Sequence, residues 1–218
     1  MREEDPQEYG DLYSLIAFKS DTRLFLQHHE GKRSTRDAID LFNDIKRLHS
    51  ESSTTPVYVS DDWDAYEKAL LNVYGEFELP QYKGVGRKPL PVIVPTEDLK
   101  YVKILTKKIG NKVVGKVKRV IYGTRKKVLD TLGIDSEESI GTSYVERMNL
   151  TVRNSLARFI RKGMNFSKSQ EMHTSTLNFF QAWYNFVKIH RSLKLRVNYG
   201  NKKWEQRTPA MAERLTKE

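Results

Sequence analysis

Apolar and β-forming positions cluster first at residues 12–18, where Leu12, Tyr13, Leu15, Ile16, Ala17 and Phe18 stand together. Ser20-Asp21 suits a turn, and residues 22–28, with Leu24, Phe25 and Leu26, run back. A hairpin is the economical reading. After Gly31, Ser34 or Thr35 can cap a helix, and Ala38, Ile39, Leu41, Phe42, Ile45 and Leu48 recur at helical spacing. A polar loop then leads into a short apolar strand at residues 56–60, which ends directly on Asp61-Asp62. Trp63, Tyr66, Ala69, Leu70 and Val73 mark one side of a second helix, and Gly75 stops it. The order strand, strand, helix, strand, helix predicts an α/β fold, a mixed sheet with helices packed on it.

Residues 76–140 change character. Pro80, Gly84, Gly86, Pro89, Pro91 and Pro95 break regular structure. Residues 100–127 are dense in Lys and Arg, with Asp98 just outside, and Val113, Val117, Val120 and Ile121 suggest short strands around Gly110-Asn111 and Gly115. This stretch reads as a basic insertion facing a polyanion. From Gly141 the pattern turns helical. Val145, Met148, Val152, Leu156 and Phe159 follow a 3-4-4-3 spacing. A second helix is expected from Ser169 to His190, with Met172, Leu177, Phe180, Trp183, Tyr184 and Val187 for the core. Thr208-Pro209 opens a capped final helix with Pro at its first position. Three parts follow: 1–75 as the first part of the core, 76–140 as the basic insertion, and 141–218 as a helical part.

Composition narrows the function classes. Of 218 residues 38% are hydrophobic, enough for a packed core. The net charge of +10 and a pI near 9.6 favour a polyanionic partner, with a merely soluble basic protein as the plain alternative. The absence of cysteine excludes disulfides and thiolate metal sites. No apolar run reaches the roughly 18 residues of a membrane span, and the polar N-terminus is no signal peptide, so a cytoplasmic, membrane-free protein is expected.

Two carboxylates invite chemistry. Asp61 sits at the C-terminal end of a short strand, where a sheet edge opens into a crevice, and ionised carboxylates there bind hard cations such as Mg²⁺. The alternative is that Asp61 or Asp62 only caps the following helix. Between Gly141 and Lys194 the acidic residues are Glu146 and Glu171, amid nine Lys or Arg. A carboxylate in that setting repels phosphate unless a metal ion lies between them; the alternative is a salt bridge to Arg147, Arg153 or a nearby Lys. Together the two fit two-metal phosphoryl transfer.

Several blocks then resemble one family. Thr142-Ser143-Tyr144-Val145-Glu146-Arg147-Met148-Asn149-Leu150-Thr151-Val152-Arg153 resembles the glutamate-bearing helix of transposases of the insertion-sequence-one family. Phe166-Ser167-Lys168-Ser169 is similar to the family's F-S-K block, and Val59-Ser60-Asp61-Asp62-Trp63-Asp64-Ala65-Tyr66 to the segment holding its second catalytic aspartate. Gly31-Lys32-Arg33-Ser34-Thr35, Trp183-Tyr184-Asn185-Phe186, His190 with Ser192-Leu193, and Thr208-Pro209-Ala210-Met211 follow in the family's order. The resemblance implies an RNase H-like fold, a DDE triad, Mg²⁺ or Mn²⁺ as cofactor, and mobilisation of an insertion sequence in a prokaryotic nucleoid. DNA, as transposon ends and target, would be the partner, bound by a homo-oligomer.

Carried over residue by residue, Asp61 takes the second acidic position and Glu146 the third, with Asp62 as the fallback if the register slips by one. The family's first aspartate lies upstream of the segment matching Tyr9-Gly10-Asp11, so the chain is expected to lack it. Asp5 stands in a polar tail with no apolar strand around it, and Asp11, which precedes a strand, is a possible substitute that aligns with a non-catalytic position of the family. The readings that follow are a transposase catalytic region, a truncated non-catalytic DNA-binding remnant of one, and, as the remotest, a basic RNA-associated structural protein. DNA contacts are expected from Arg147, Asn149, Arg153, Arg158, Arg161 and Lys162 along the glutamate helix. A second set is Lys107, Lys108, Lys112, Lys116, Lys118, Arg119, Arg125, Lys126 and Lys127. A solvated charged face is the alternative for both. Trp63, Trp183 and Trp204 can stack on bases, though Trp63 and Trp183 read more simply as core. His173 and His190 read as packing or phosphate contacts.

Overall fold

In the computed structural model the first hairpin forms as the pattern predicts, with β1 (Tyr13–Phe18) antiparallel to β2 (Phe25–Gly31). The structure describes residues 12–49, 55–82, 84, 86–160, 163–199 and 202–216. Asp5, Tyr9, Gly10, Asp11, Arg161 and Lys162 lie outside them. The chain divides into two compact units, residues 1–32 with 143–218, and residues 33–142.

The 33–142 unit opens with α1 (Thr35–Leu48). Ser34 caps it in a reciprocal box with Asp37, each side chain taking the other's backbone N–H. Its apolar stripe, Ala38, Leu41, Phe42 and Ile45, is buried, and Leu48 at its end is exposed. Strand β3 (Val57–Ser60) leads to α2 (Asp64–Tyr74), which buries Ala65, Ala69, Leu70 and Val73 and packs on α1. A fully buried Leu such as Leu70 contributes about 1.5–3 kcal/mol. Gly75 ends α2 in an extended conformation, and glycine is needed there because a Cβ would overlap the Leu71 carbonyl oxygen and Ile93 Cγ2. A small antiparallel pair follows, β4 (Gly75–Glu78) with β5 (Val92–Pro95).

The basic stretch expected as short strands instead forms two long ones, β6 (Lys100–Ile109) and β7 (Lys112–Tyr122), turning at Gly110-Asn111. Strand β6 is central to its sheet: it runs parallel to β3 on one side and antiparallel to β7 on the other. Its first half is therefore buried, Lys100 and Lys103 included, although the sequence marks them as polyanion-facing. Helix α3 (Arg125–Leu132) closes over this sheet, where Val102, Val128 and Ile140 form the core with Val57, Val59, Val120 and Ile134 around them.

In the other unit α4 (Ser143–Ser155) and α5 (Gln170–Phe186) pack on the β1–β2 hairpin around Phe25, Met148, Val152, Leu177, Phe180 and Tyr184. The part expected to be helical throughout is not. The long helix stops at Phe186, and β8 (His190–Tyr199) pairs antiparallel with β9 (Lys202–Arg207) before a short α6 (Pro209–Ala212). Thr208 caps α6 and Pro209 opens it, as the sequence predicts. The architecture is mixed α/β, and its three-stranded sheet, β3-β6-β7, is mixed. No helix among the described residues is long and apolar enough to cross a membrane.

Candidate active-site carboxylates and basic surfaces

Asp61 follows the last residue of β3 and is exposed. The helix-capping alternative for it fails, since Trp63 occupies the N-cap of α2 and no side chain caps that helix end. The turn is fixed from below. Ser60 Oγ donates to the Asp61 carbonyl at 2.8 Å and lies 2.7 Å from the hydroxyl of fully buried Tyr101. Tyr66 packs edge-on to Trp63 and Phe42. Its hydroxyl pKa is raised, first by burial and then by the nearby charge of Asp61, while Arg33 pulls it the other way. The Arg33 guanidinium lies 5.4 Å from the Trp63 ring centre. Arg33 therefore belongs to the surroundings of Asp61.

The fallback residue, Asp62, has a different duty. In register with Ser60, Lys103 on β6 extends its ammonium to Asp62 at 3.3 Å, Glu67 at 3.7 Å and Asp64. The lysine side chain is only 7% exposed, so the three carboxylates supply the charge balance that burial demands. Hydrogen bonding to Asp64 leads the causes that raise the Lys103 pKa, and the same bond lowers that of Asp64. The sequence hid this because Lys103 sits among lysines that face solvent.

Glu146 is exposed in the first turn of α4, where the helix dipole favours a negative charge. Met148 and Val152 anchor the opposite side of that helix in the core. Arg147 is exposed, Asn149, Arg153 and Arg158 are half-buried, and the Arg23 guanidinium stacks 3.6 Å from the Tyr144 ring centre. Near them the His190 pKa is lowered by burial and by the positive charges of Arg23, Lys188 and Arg147. Arg23, Lys188 and Arg147 thus lie close enough to the His190 ring for their charges to act on it. Asp61 belongs to the 33–142 unit and Glu146 to the other. Among the described residues no group of three or more His, Asp or Glu gathers where one metal ion would be held.

Residues 121–187 match the family model of the IS1 transposase. Over this stretch, just under a third of the chain, the sequence is similar to that of IS1-family DDE transposases. No curated protein matches the chain, and no solved structure does. The matched stretch holds α3, α4, Glu146 and the body of α5, and it gives several motif positions structural jobs. Ser167 and Ser14 bracket the His173 ring at 2.9 Å from Nδ1 and 3.1 Å from Nε2, and Ser169 caps α5. The transposase family implies divalent-metal chemistry and DNA as the partner. Asp61 and Glu146 suit such a metal as exposed, hard oxygen donors.

The second basic set divides. Lys118 donates to the Glu137 carbonyl at 2.6 Å, Arg125 pairs with the Glu137 carboxylate at 2.8 Å, and Lys127 reaches the Glu97 carbonyl at 3.5 Å. Lys107, Lys108, Lys112, Lys116, Arg119 and Lys126 are exposed. Trp183, expected in the core, is 37% exposed, and Trp204 is 48% exposed with the Lys194 ammonium 4.4 Å from its ring centre.

Proposed function

We propose that the chain is the strand-cutting and strand-joining region of a transposase that moves an insertion sequence, with Asp61 and Glu146 as its metal-holding carboxylates. The family match over residues 121–187 carries this reading, because it includes Glu146 on an exposed helix turn. The element order β1-β2-α1-β3-α2 and the parallel β3–β6 pair support an RNase H-like reading, with β1–β2 forming a sheet of its own among the described residues. When bound, Mg²⁺ or Mn²⁺ activates the attacking oxygen and stabilises the leaving one in phosphodiester exchange. The chain's own side chains do the rest. Arg23, Arg147 and Lys188 offer phosphate a positive corner next to the glutamate helix. Lys103 keeps Asp62, Asp64 and Glu67 engaged, and Asp61 is the carboxylate presented at the strand end.

The test is Glu146→Gln in the full chain, assayed for divalent-dependent cutting of duplex DNA and, separately, for duplex binding. Cutting is expected to vanish while binding stays as in the unaltered chain. Cutting that survives the substitution overturns the assignment. An unaltered chain that binds duplex DNA but cuts under no divalent metal is instead a non-catalytic DNA-binding remnant.

A further inference from the structure

Strand β3 pairs with β6 only over Lys100–Lys103. Beyond Ile104, residues 105–117 continue as two strands joined to each other alone, and their outer part is exposed. This ribbon has an unusual surface. It carries Lys107, Lys108, Lys112 and Lys116 and no acidic residue. Between the lysines it holds apolar side chains in water: Ile109 is 73% exposed, Val113 58% and Val114 56%. Gly115 faces Lys107 across the strands, at a point where the register slips by one residue. Among the described residues no close contact requires glycine there. Its φ is not positive, and a Cβ would meet no atom within 4 Å. A strand glycine marks a bulge, as the register slip here shows, or a place where another molecule's backbone comes close, and the open space around Gly115 leaves room for such an approach.

We propose that this ribbon, residues 105–117, seats in the major groove of duplex DNA. The major groove, about 12 Å wide, admits a two-stranded ribbon. In that seat the lysines reach the flanking phosphates, the apolar tip meets base edges and thymine methyl groups, and Gly115 leaves room for the approach. A second copy of the chain is a poor occupant, because two such ribbons would set eight lysines against one another. The inference rests on the DNA-acting reading above and adds to it which element enters the duplex and by which groove.

The experiment uses the full chain with a mixed-sequence 30-base-pair duplex of about three helical turns and one of its single strands as probes. Three forms are compared: unaltered, Gly115→Val, and the triple substitution K107A/K108A/K112A. The unaltered chain should protect guanine N7, a major-groove atom, from methylation. Gly115→Val should melt as the unaltered chain does, lose that protection, and weaken duplex binding by about tenfold while single-strand binding holds, as expected if one groove contact is lost. The triple variant should lower the slope of log affinity against log salt by about 2–3, one phosphate contact per lysine. Duplex affinity and N7 protection unchanged in Gly115→Val overturn the proposal. So does an equal loss on duplex and single strand, which a mere charged patch would give. Failure here is separable from failure of the catalytic reading. A chain that protects N7 through the ribbon yet cuts nothing keeps this proposal and drops the enzyme; one that cuts with both ribbon variants binding normally does the reverse.

Discussion

The side-chain amide of Asn185 holds the backbone of Phe25 at both its polar atoms: the Phe25 N–H donates to Oδ1 at 2.9 Å, and Nδ2 donates to the Phe25 carbonyl at 2.9 Å. Both residues are buried. Gln181, one turn earlier on α5, also donates to that carbonyl, at 3.0 Å. Replacing Asn185 with Ala therefore orphans the N–H but not the carbonyl. The expected loss is about 1–3 kcal/mol, the cost of one buried unsatisfied donor, which lowers the melting temperature by roughly 2–4 °C per kcal/mol. Thermal melts of Asn185→Ala and Gln181→Ala compare the two, and the Asn185 change should cost more.

Asp61 and Asp62 are neighbours in sequence with different duties, so their amide variants should separate. Asp61→Asn is expected to reduce divalent-dependent DNA cutting by more than roughly 100-fold, since even residues that merely orient a metal ligand cost 10–100-fold. Asp62→Asn removes one of three partners of Lys103 and should leave cutting nearly intact. Equal losses in the two variants would count against Asp61 as the functional carboxylate.

Lys103 links stability to pH at both extremes. Its pKa is raised above the ordinary 10.5, so its contribution is complete below that value and is lost as pH climbs through the raised one. The pKa of Asp64 is lowered below 3.8, so its share is complete above 3.8 and is lost as pH falls through the lowered value. The stability difference between the unaltered chain and Lys103→Met should be flat from about pH 5 to pH 9 and change outside that window. The triple variant D62N/D64N/E67Q strands a buried ammonium, whereas Lys103→Met leaves carboxylates that water can reach. The triple variant should therefore melt lower than Lys103→Met at neutral pH.

His173 provides the mild-acid counterpart. Burial lowers its pKa below 6.5, Glu30 opposes that shift, and the charges of Arg158 and His28 add to it. The folded chain therefore resists protonation there. Stability is complete above pH 6.5 and declines as pH falls through the lowered value. Glu30, whose pKa is also lowered despite burial because His28 and Thr174 hydrogen-bond to it, adds a second decline below its ordinary 4.5. Denaturant melts across pH 7 to about pH 3 should show the first decline vanish in His173→Asn and the second persist.

Elements with local signals were legible in the sequence. The cap at Ser34, the turn at Ser20-Asp21, the apolar stripe of α1 and the stop at Gly75 each depend on residues close in the chain, whereas the part Asp37 plays in that cap emerged only in the structure. The β3–β6 pair was not legible, because it joins Val57 to Lys100 across a stretch whose prolines and glycines suggest only interruption. Lysines at 103, 107 and 108 masked the alternation of β6, and polar residues at 190–207 masked β8 and β9. Of the candidate site, strand-end Asp61 and helix-borne Glu146 could be read from position and charge. Lys103 could not, because burial by tertiary pairing leaves no mark on a lysine in a basic run.

A tethered cation differs from a dissolved one in a way that matters at the end of β3. The ammonium of Lys103 is delivered by the chain itself, so its local concentration does not depend on the buffer, and no chelator can strip it away. The acidic turn from Asp62 to Glu67 thus gains its electrostatic scaffold during folding rather than at ion binding. Any ion that Asp61 recruits arrives at ground already arranged, and its affinity is spared the ordering of a loop.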